Sequence, residues 1–121
     1  MRVYLSGGMR SGWQDKVKAA VSGIEWIDPR EHGLGLPALY AVWDLTGVRL
    51  ADVVFAYIED DNPSGIGLAL ELGYAKGLGK ITILVGGHDD KRMAIVGCAA
   101  DVWVAPLSQG IALLQSLSRM M

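Results

Sequence analysis

One carboxylate sits where charge is least expected. The stretch Asn62-Pro63-Ser64-Gly65-Ile66-Gly67-Leu68-Ala69-Leu70-Glu71-Leu72-Gly73-Tyr74-Ala75 is a Gly- and Pro-rich turn running into an apolar helix with Glu71 in its middle. Ile66, Leu68, Leu70, Leu72 and Tyr74 cannot share one stripe at a period of 3.6, and a helix apolar all round is expected to be buried. A buried Glu needs a reason, because an unpaired charge in a dry site is costly. Glu71 shares its helical column with Gly67 and Ala75, which leave room for another molecule against the carboxylate. Glu71 is therefore a candidate catalytic group. Its competing reading is a structural residue on the solvent face of the helix.

Other short stretches offer binding chemistry. Ser6-Gly7-Gly8-Met9 follows an apolar run, and glycines there let backbone N–H groups approach a phosphate or a sugar hydroxyl. The alternative is a plain tight turn. The stretch is neither a G-x-G-x-x-G fingerprint nor a Walker A loop, so no nucleotide cofactor is expected. Ser64-Gly65-Ile66-Gly67 opens a helix, where orphan N–H groups and the macrodipole favour an anion. Ser64 serves equally as an N-cap. Asp28 ends a strand before Pro29 and Arg30, facing a ligand or making an Asx turn. Asp44 lies in a helix beside Trp43 and Leu45, as a chemical group, a solvated residue or a partner for Arg49. Asp52 opens a strand and suits a cap. Cys98 reads as a small buried residue, and His32 and His88 as exposed loop residues. With one Cys and two isolated His there is no zinc spacing, and no metal is expected.

The elements that must position these groups alternate along the chain. Arg2-Val3-Tyr4-Leu5, Ile24–Ile27, Asp52–Ile58, Ile81–Val85 and Val102–Val104 read as strands. Helices are expected over Trp13–Val21, about Ala38–Leu50 with Val42, Leu45 and Val48 near one apolar face, the Glu71 segment to about Gly77, and Ser108–Arg119. Residues 93–100 form only a short apolar segment. The pattern predicts an α/β fold, a five-stranded parallel sheet covered by helices on both faces. Ligands bind beyond the carboxyl ends of such strands, where the loops beginning at Ser6, Asp28, Glu59 and Gly86 should meet.

Composition narrows the class. The 121 residues suit a single domain, 1–121, and 51% hydrophobic with 20% charged residues fits a compact globular chain. A net charge of −2 without a basic run argues against nucleic acid as a partner. No run reaches the roughly 18 apolar residues of a membrane helix, and the N-terminus lacks a signal-peptide core. A lone cysteine fits a reducing, cytoplasmic setting.

Taken together, Tyr4-Leu5-Ser6-Gly7-Gly8-Met9, then Trp43-Asp44-Leu45-Thr46-Gly47-Val48-Arg49-Leu50-Ala51-Asp52-Val53-Val54, then Gly65–Ala75 and Gly79-Lys80, resemble the nucleoside 2-deoxyribosyltransferase family, which includes 2′-deoxynucleoside 5′-monophosphate N-glycosidases and CMP hydrolases. The pieces span residues 4 to 85 in the family's order. The resemblance implies a flavodoxin-like, Rossmann-like three-layer sandwich. It implies a double displacement at the anomeric carbon of a nucleoside or nucleotide, with a free base as the second substrate. Glu71 would be the nucleophile, Asp44 would carry the base's proton, and Tyr4 would hold Glu71. Ser6, Gly7, Gly8, Met9, Asp28, Ser64, Gly65 and Gly67 would contact substrate, with base contacts from Met9, Trp13 and residues 31–40. A homo-oligomer is implied, with Trp43, Leu68 and Leu72 as apolar contacts. The chain departs from the transferases in carrying Gly65 where they have an Asp six residues before the nucleophile. It has no Asn in Lys91–Ile95, and is shorter at its C-terminal end. Ser64, Lys91 and Arg92 instead suit a 5′-phosphate and hence the hydrolases.

Overall fold

Continuous apolar runs become the interior of a sheet, and short ones its edges. In the computed structural model, which describes residues 1–62 and 65–121, the long strands are β1 (Arg2–Gly7), β3 (Val53–Tyr57) and β4 (Ile81–Val85). The edges are β2 (Glu25–Ile27) and β5 (Val102–Val104), three residues each. All pair in parallel in the order β2-β1-β3-β4-β5. This is the flavodoxin-like order, whose switch point lies between β1 and β3.

Alternation along each strand sorts the side chains into two cores. Val3, Leu5, Val53, Phe55, Ile83 and Val85 face one side and pack under α1 (Trp13–Ala20) and α5 (Leu107–Met120). Tyr4, Val54, Ala56 and Leu84 face the other, under α2 (Pro37–Leu50), α3 (Ile66–Gly77) and α4 (Ala94–Ala99). Helix, sheet and helix make three layers, as expected. The segment 93–100, read from sequence only as apolar, supplies α4. Its six residues are too few to show a helical period.

Helix α3 is not buried all round. Leu68, Glu71, Leu72 and Ala75 form its inward stripe at i, i+3, i+4 and i+7, while Ile66 is 88% exposed. Leu72 alone, fully enclosed, contributes about 2 kcal/mol of apolar burial. Leu68 and Leu72 are thereby consumed by the chain's own core and are not surface contacts. Val42, expected on the inner face of α2, is 67% exposed instead. Helix α2 turns Gly47 and Val48 inward. A Cβ on Gly47 would stand 2.8 Å from Ile27 Cγ2 and 3.0 Å from the Tyr4 ring, so only glycine lets α2 lie this close to β1.

Candidate active site

The carboxyl ends of β1 and β3 and the amino end of α3 enclose a cavity of about 150 Å³. Gly7, Gly8, Met9, Asp44, Gly65, Gly67 and Glu71, all candidates from the sequence, line it together with Pro29, Tyr57, Ile58, Glu59, Asn62 and Leu68. It is smaller than the roughly 300–1,000 Å³ of pockets that enclose a whole drug-sized ligand. A ligand of that size would fit in it only in part.

Glu71 reaches this cavity from the inward stripe of α3, and β1 holds it there. Tyr4 and Ser6 are two residues apart, so both point to the α3 side of the sheet. The Tyr4 hydroxyl donates to Glu71 Oε2 at 2.8 Å, and the Ser6 hydroxyl donates to Oε1 at 2.6 Å. Both oxygens are thus fixed from one strand, and the residue is only 8% exposed. Burial pushes the Glu71 carboxyl above its ordinary value, against the Ser6 and Tyr4 bonds that lower it; the nearby Asp44 raises it further. Burial also raises the Tyr4 hydroxyl, with the Glu71 charge adding to it, so Tyr4 stays a neutral donor.

Asp44 comes from α2, one turn before Gly47. Burial raises its carboxyl too, partly offset by the charge of His32 and by Tyr4. Its Oδ1 is buried and has no hydrogen-bond partner among the described residues. A buried acceptor of this kind is satisfied by its own proton or by a ligand. Two carboxyls thus share one cavity, both raised by burial, Glu71 held by two hydroxyl donors and Asp44 Oδ1 without a partner among the described residues.

Several expected residues take other parts. Ser6 orients Glu71 and does not line the cavity. Asp28 is buried, but its oxygens are held by Arg30 Nη2 at 2.7 Å, Lys18 Nζ at 2.8 Å and the Arg30 N–H at 3.0 Å. Its neighbour Pro29 meets the cavity instead. Ser64 lies outside the described residues. Asp52, which opens β3's run as expected, sits at the opposite end of the sheet and accepts from the Arg2 N–H at 2.7 Å. Trp13 is buried against Phe55 and Tyr57, and its indole N–H donates to the Gly8 carbonyl, so it cannot reach a base. Arg92 pairs with Asp90 at 2.7 Å, beside a groove that shares Ile58, Glu59 and Asn62 with the cavity. Cys98 is exposed, not buried. His32 is half-buried, stacked on Tyr40 with Trp43 at its edge.

Glu59 escaped the sequence reading. It follows β3, is 5% exposed, and binds the Arg10 and Ser11 N–H groups and Asn62. Its signal is position: a carboxylate just past the carboxyl end of a central parallel strand. Among the described residues no cluster of His, Cys, Asp and Glu could hold a metal ion, and no helix is long and apolar enough to cross a membrane.

No family model matches the chain, and no curated protein sequence does. Solved structures are similar. A 2-deoxyribosyltransferase from Bacillus psychrosaccharolyticus superposes with a TM-score of 0.72 at 19% identity, over 95% of this chain and 90% of that one. A CMP N-glycosidase from Clostridium botulinum gives 0.64 at 19% identity, over 98% and 99%. A 2-deoxyribosyltransferase from Leishmania mexicana gives 0.59 at 21% identity, over 69% and 63%. At these identities the likeness establishes the flavodoxin-like fold.

Proposed function

We propose that the chain is an enzyme of the nucleoside 2-deoxyribosyltransferase family. On this reading it cleaves the N-glycosidic bond of a 2′-deoxyribonucleoside and passes the deoxyribosyl group to a second base. The observation that carries this reading is Glu71: buried, hydrogen-bonded at both oxygens from β1, and sharing a cavity with a second carboxyl. The fold and the named activities of its structural neighbours agree with it.

The chemistry follows from the two carboxyls. A Glu71 oxygen attacks C1′ as the bond from C1′ to the base nitrogen breaks. Asp44 gives its proton to the departing nitrogen, so the base leaves neutral. Oxocarbenium-like charge on the sugar is met by the carboxylate, which closes to a deoxyribosyl ester. The nitrogen of a second base then attacks C1′, its proton returns to Asp44, and Glu71 is released. No step needs a metal or a redox cofactor. Among the described residues the cavity wall has three carboxyl groups and no Lys or Arg, which favours an uncharged nucleoside over a nucleotide.

A second reading has its own observation. The amino end of α3 opens on the cavity at Gly65 and Gly67, and such an end attracts an anion. A 5′-monophosphate N-glycosidase, with water in place of the second base, fits that feature and the likeness to the CMP N-glycosidase.

Chromatographic time courses on 2′-deoxynucleosides and their 5′-monophosphates, with and without a free acceptor base, separate the two. A new nucleoside formed only with acceptor, and lost in Glu71→Ala, supports transfer. Base released from monophosphates alone supports hydrolysis. Absence of turnover sinks both and leaves a nucleotide-binding module. A cytoplasmic homo-oligomer belongs to this reading; exposed Leu39, Val42, Ile66, Leu70 and Ile95 supply apolar surface on the α2–α4 layer. Light scattering should give a mass above one chain.

A further inference from the structure

Glu59 is the one carboxylate of the cavity wall that the reaction above leaves without a task. Its Oε2 accepts from two successive backbone N–H groups of the glycine-rich loop, Arg10 at 3.0 Å and Ser11 at 2.6 Å. Its Oε1 accepts from Asn62 Nδ2 at 2.9 Å. One side chain thus ties the loop after β1 to the loop after β3. The Glu59 and Asn62 side chains lie directly against the Gly8 backbone. A Cβ on Gly8 would stand 1.9 Å from Glu59 Oε1 and 2.2 Å from Asn62 Nδ2.

The same loop is fixed from its other side. The Gly8 carbonyl accepts from Trp13 Nε1 at 2.8 Å and from Gln14 Nε2 at 3.0 Å, both buried residues at the start of α1. Met9 lies between the two attachments and lines the cavity while remaining half exposed. A loop held at residue 8 by α1 and at residues 10 and 11 by Glu59 fixes residue 9, between them, at the cavity wall. Without the carboxylate, the Arg10 and Ser11 N–H groups turn to water and the second attachment is lost.

We propose that Glu59 is a positioning residue that holds loop 8–11 closed, so that Met9 screens the reacting carbon from water. The inference rests on the transferase reading. A covalent ester awaiting a second base is exposed to hydrolysis, and exclusion of water protects such an intermediate. Glu59 does not touch the reacting atoms. It governs how the ester partitions between base and water, and how tightly the nucleoside is held.

The test is Glu59→Gln, which keeps the shape but removes one of the two acceptor oxygens. Amide hydrogen exchange of the whole chain should quicken at Arg10 and Ser11 by about tenfold or more, with the β-strand amides unchanged. KM for the nucleoside should rise about tenfold with kcat held within about twofold, and the ratio of free base to exchanged nucleoside should rise. A general loss of folding would not produce that split. Gly8→Ala disturbs the same clamp from the opposite side and should quicken the same two amides, giving a second route if Glu59→Gln folds poorly. Unchanged exchange at Arg10 and Ser11 in either folded variant overturns the clamp, as does an unchanged KM and product ratio. If the wild-type protein turns over no nucleoside, the proposed function fails, while the exchange comparison still decides whether Glu59 holds the loop.

Discussion

Tyr4 donates its one hydroxyl hydrogen bond to Glu71, and the protonation of Glu71 and Asp44 sets the pH behaviour expected of the site. In the proposed reaction Glu71 must be ionised to attack, and Asp44 must be protonated to release the base. Burial raises both above their ordinary values of 4.5 and 3.8. The rate should therefore fall as pH drops through the raised value of Glu71 and fall again as pH rises through that of Asp44. The bell belongs to the pair and should lie above the ordinary carboxylate range. Tyr4→Phe removes a bond that lowers Glu71, so the acidic limb should move up in pH, with kcat down by about 10- to 100-fold. A pH–rate profile of the two proteins checks both statements. Glu71 was legible in the sequence because a charge in an apolar helix violates the hydrophobic pattern. The Ser6 bond was less so, though its two-residue spacing from Tyr4 puts both on one face. Glu59 was missed because a carboxylate after a strand also reads as an ordinary turn residue. Asp28 misled because its partners Lys18 and Arg30 are set by tertiary packing, not by spacing.

At the scale of elements, the approach of α2 to β1 decides whether Asp44 reaches the cavity. Gly47 sets that approach. Gly47→Ala should push α2 outward, lowering stability by about 1–3 kcal/mol in urea unfolding. It should reduce kcat/KM beyond any loss of folded protein, because Asp44 moves with the helix. Equal unfolding midpoints and equal activity would show that α2 adjusts without cost. The central strands were readable from sequence because their apolar runs are continuous, and glycines mark the ends of β1, β4 and α3. The inward face of α2 was not. Its apolar residues lie on every side, so the period of 3.6 has nothing to mark, and Val42 turned outward. Helix α3 posed the same problem, and the stripe at Leu68, Glu71, Leu72 and Ala75 is chosen by the sheet beneath it.

Across the whole molecule, charge is organised differently on the two sides of the site. Burial pushes Asp28 up, but Arg30 and Lys18 outweigh it and hold the carboxyl below its ordinary 3.8. The stability this contributes is present above that value and lost as pH falls through the depressed one. Asp28→Asn strips a buried partner from both cations and should cost about 3 kcal/mol at neutral pH, with a much smaller cost at strongly acidic pH. Unfolding curves at the two pH values test the sign. Glu71, meanwhile, is held from β1 by two hydroxyls, while much of the wall around it comes from the loops after β1 and β3. Foundation and walls are thus separable. Loop sequences could drift, and the compound that is accepted with them, while the bond-breaking step stayed as it was. Such a layout suits a scaffold re-used for many related compounds, and it marks residues 8–12 and 59–62 as the places to alter when a different one is wanted.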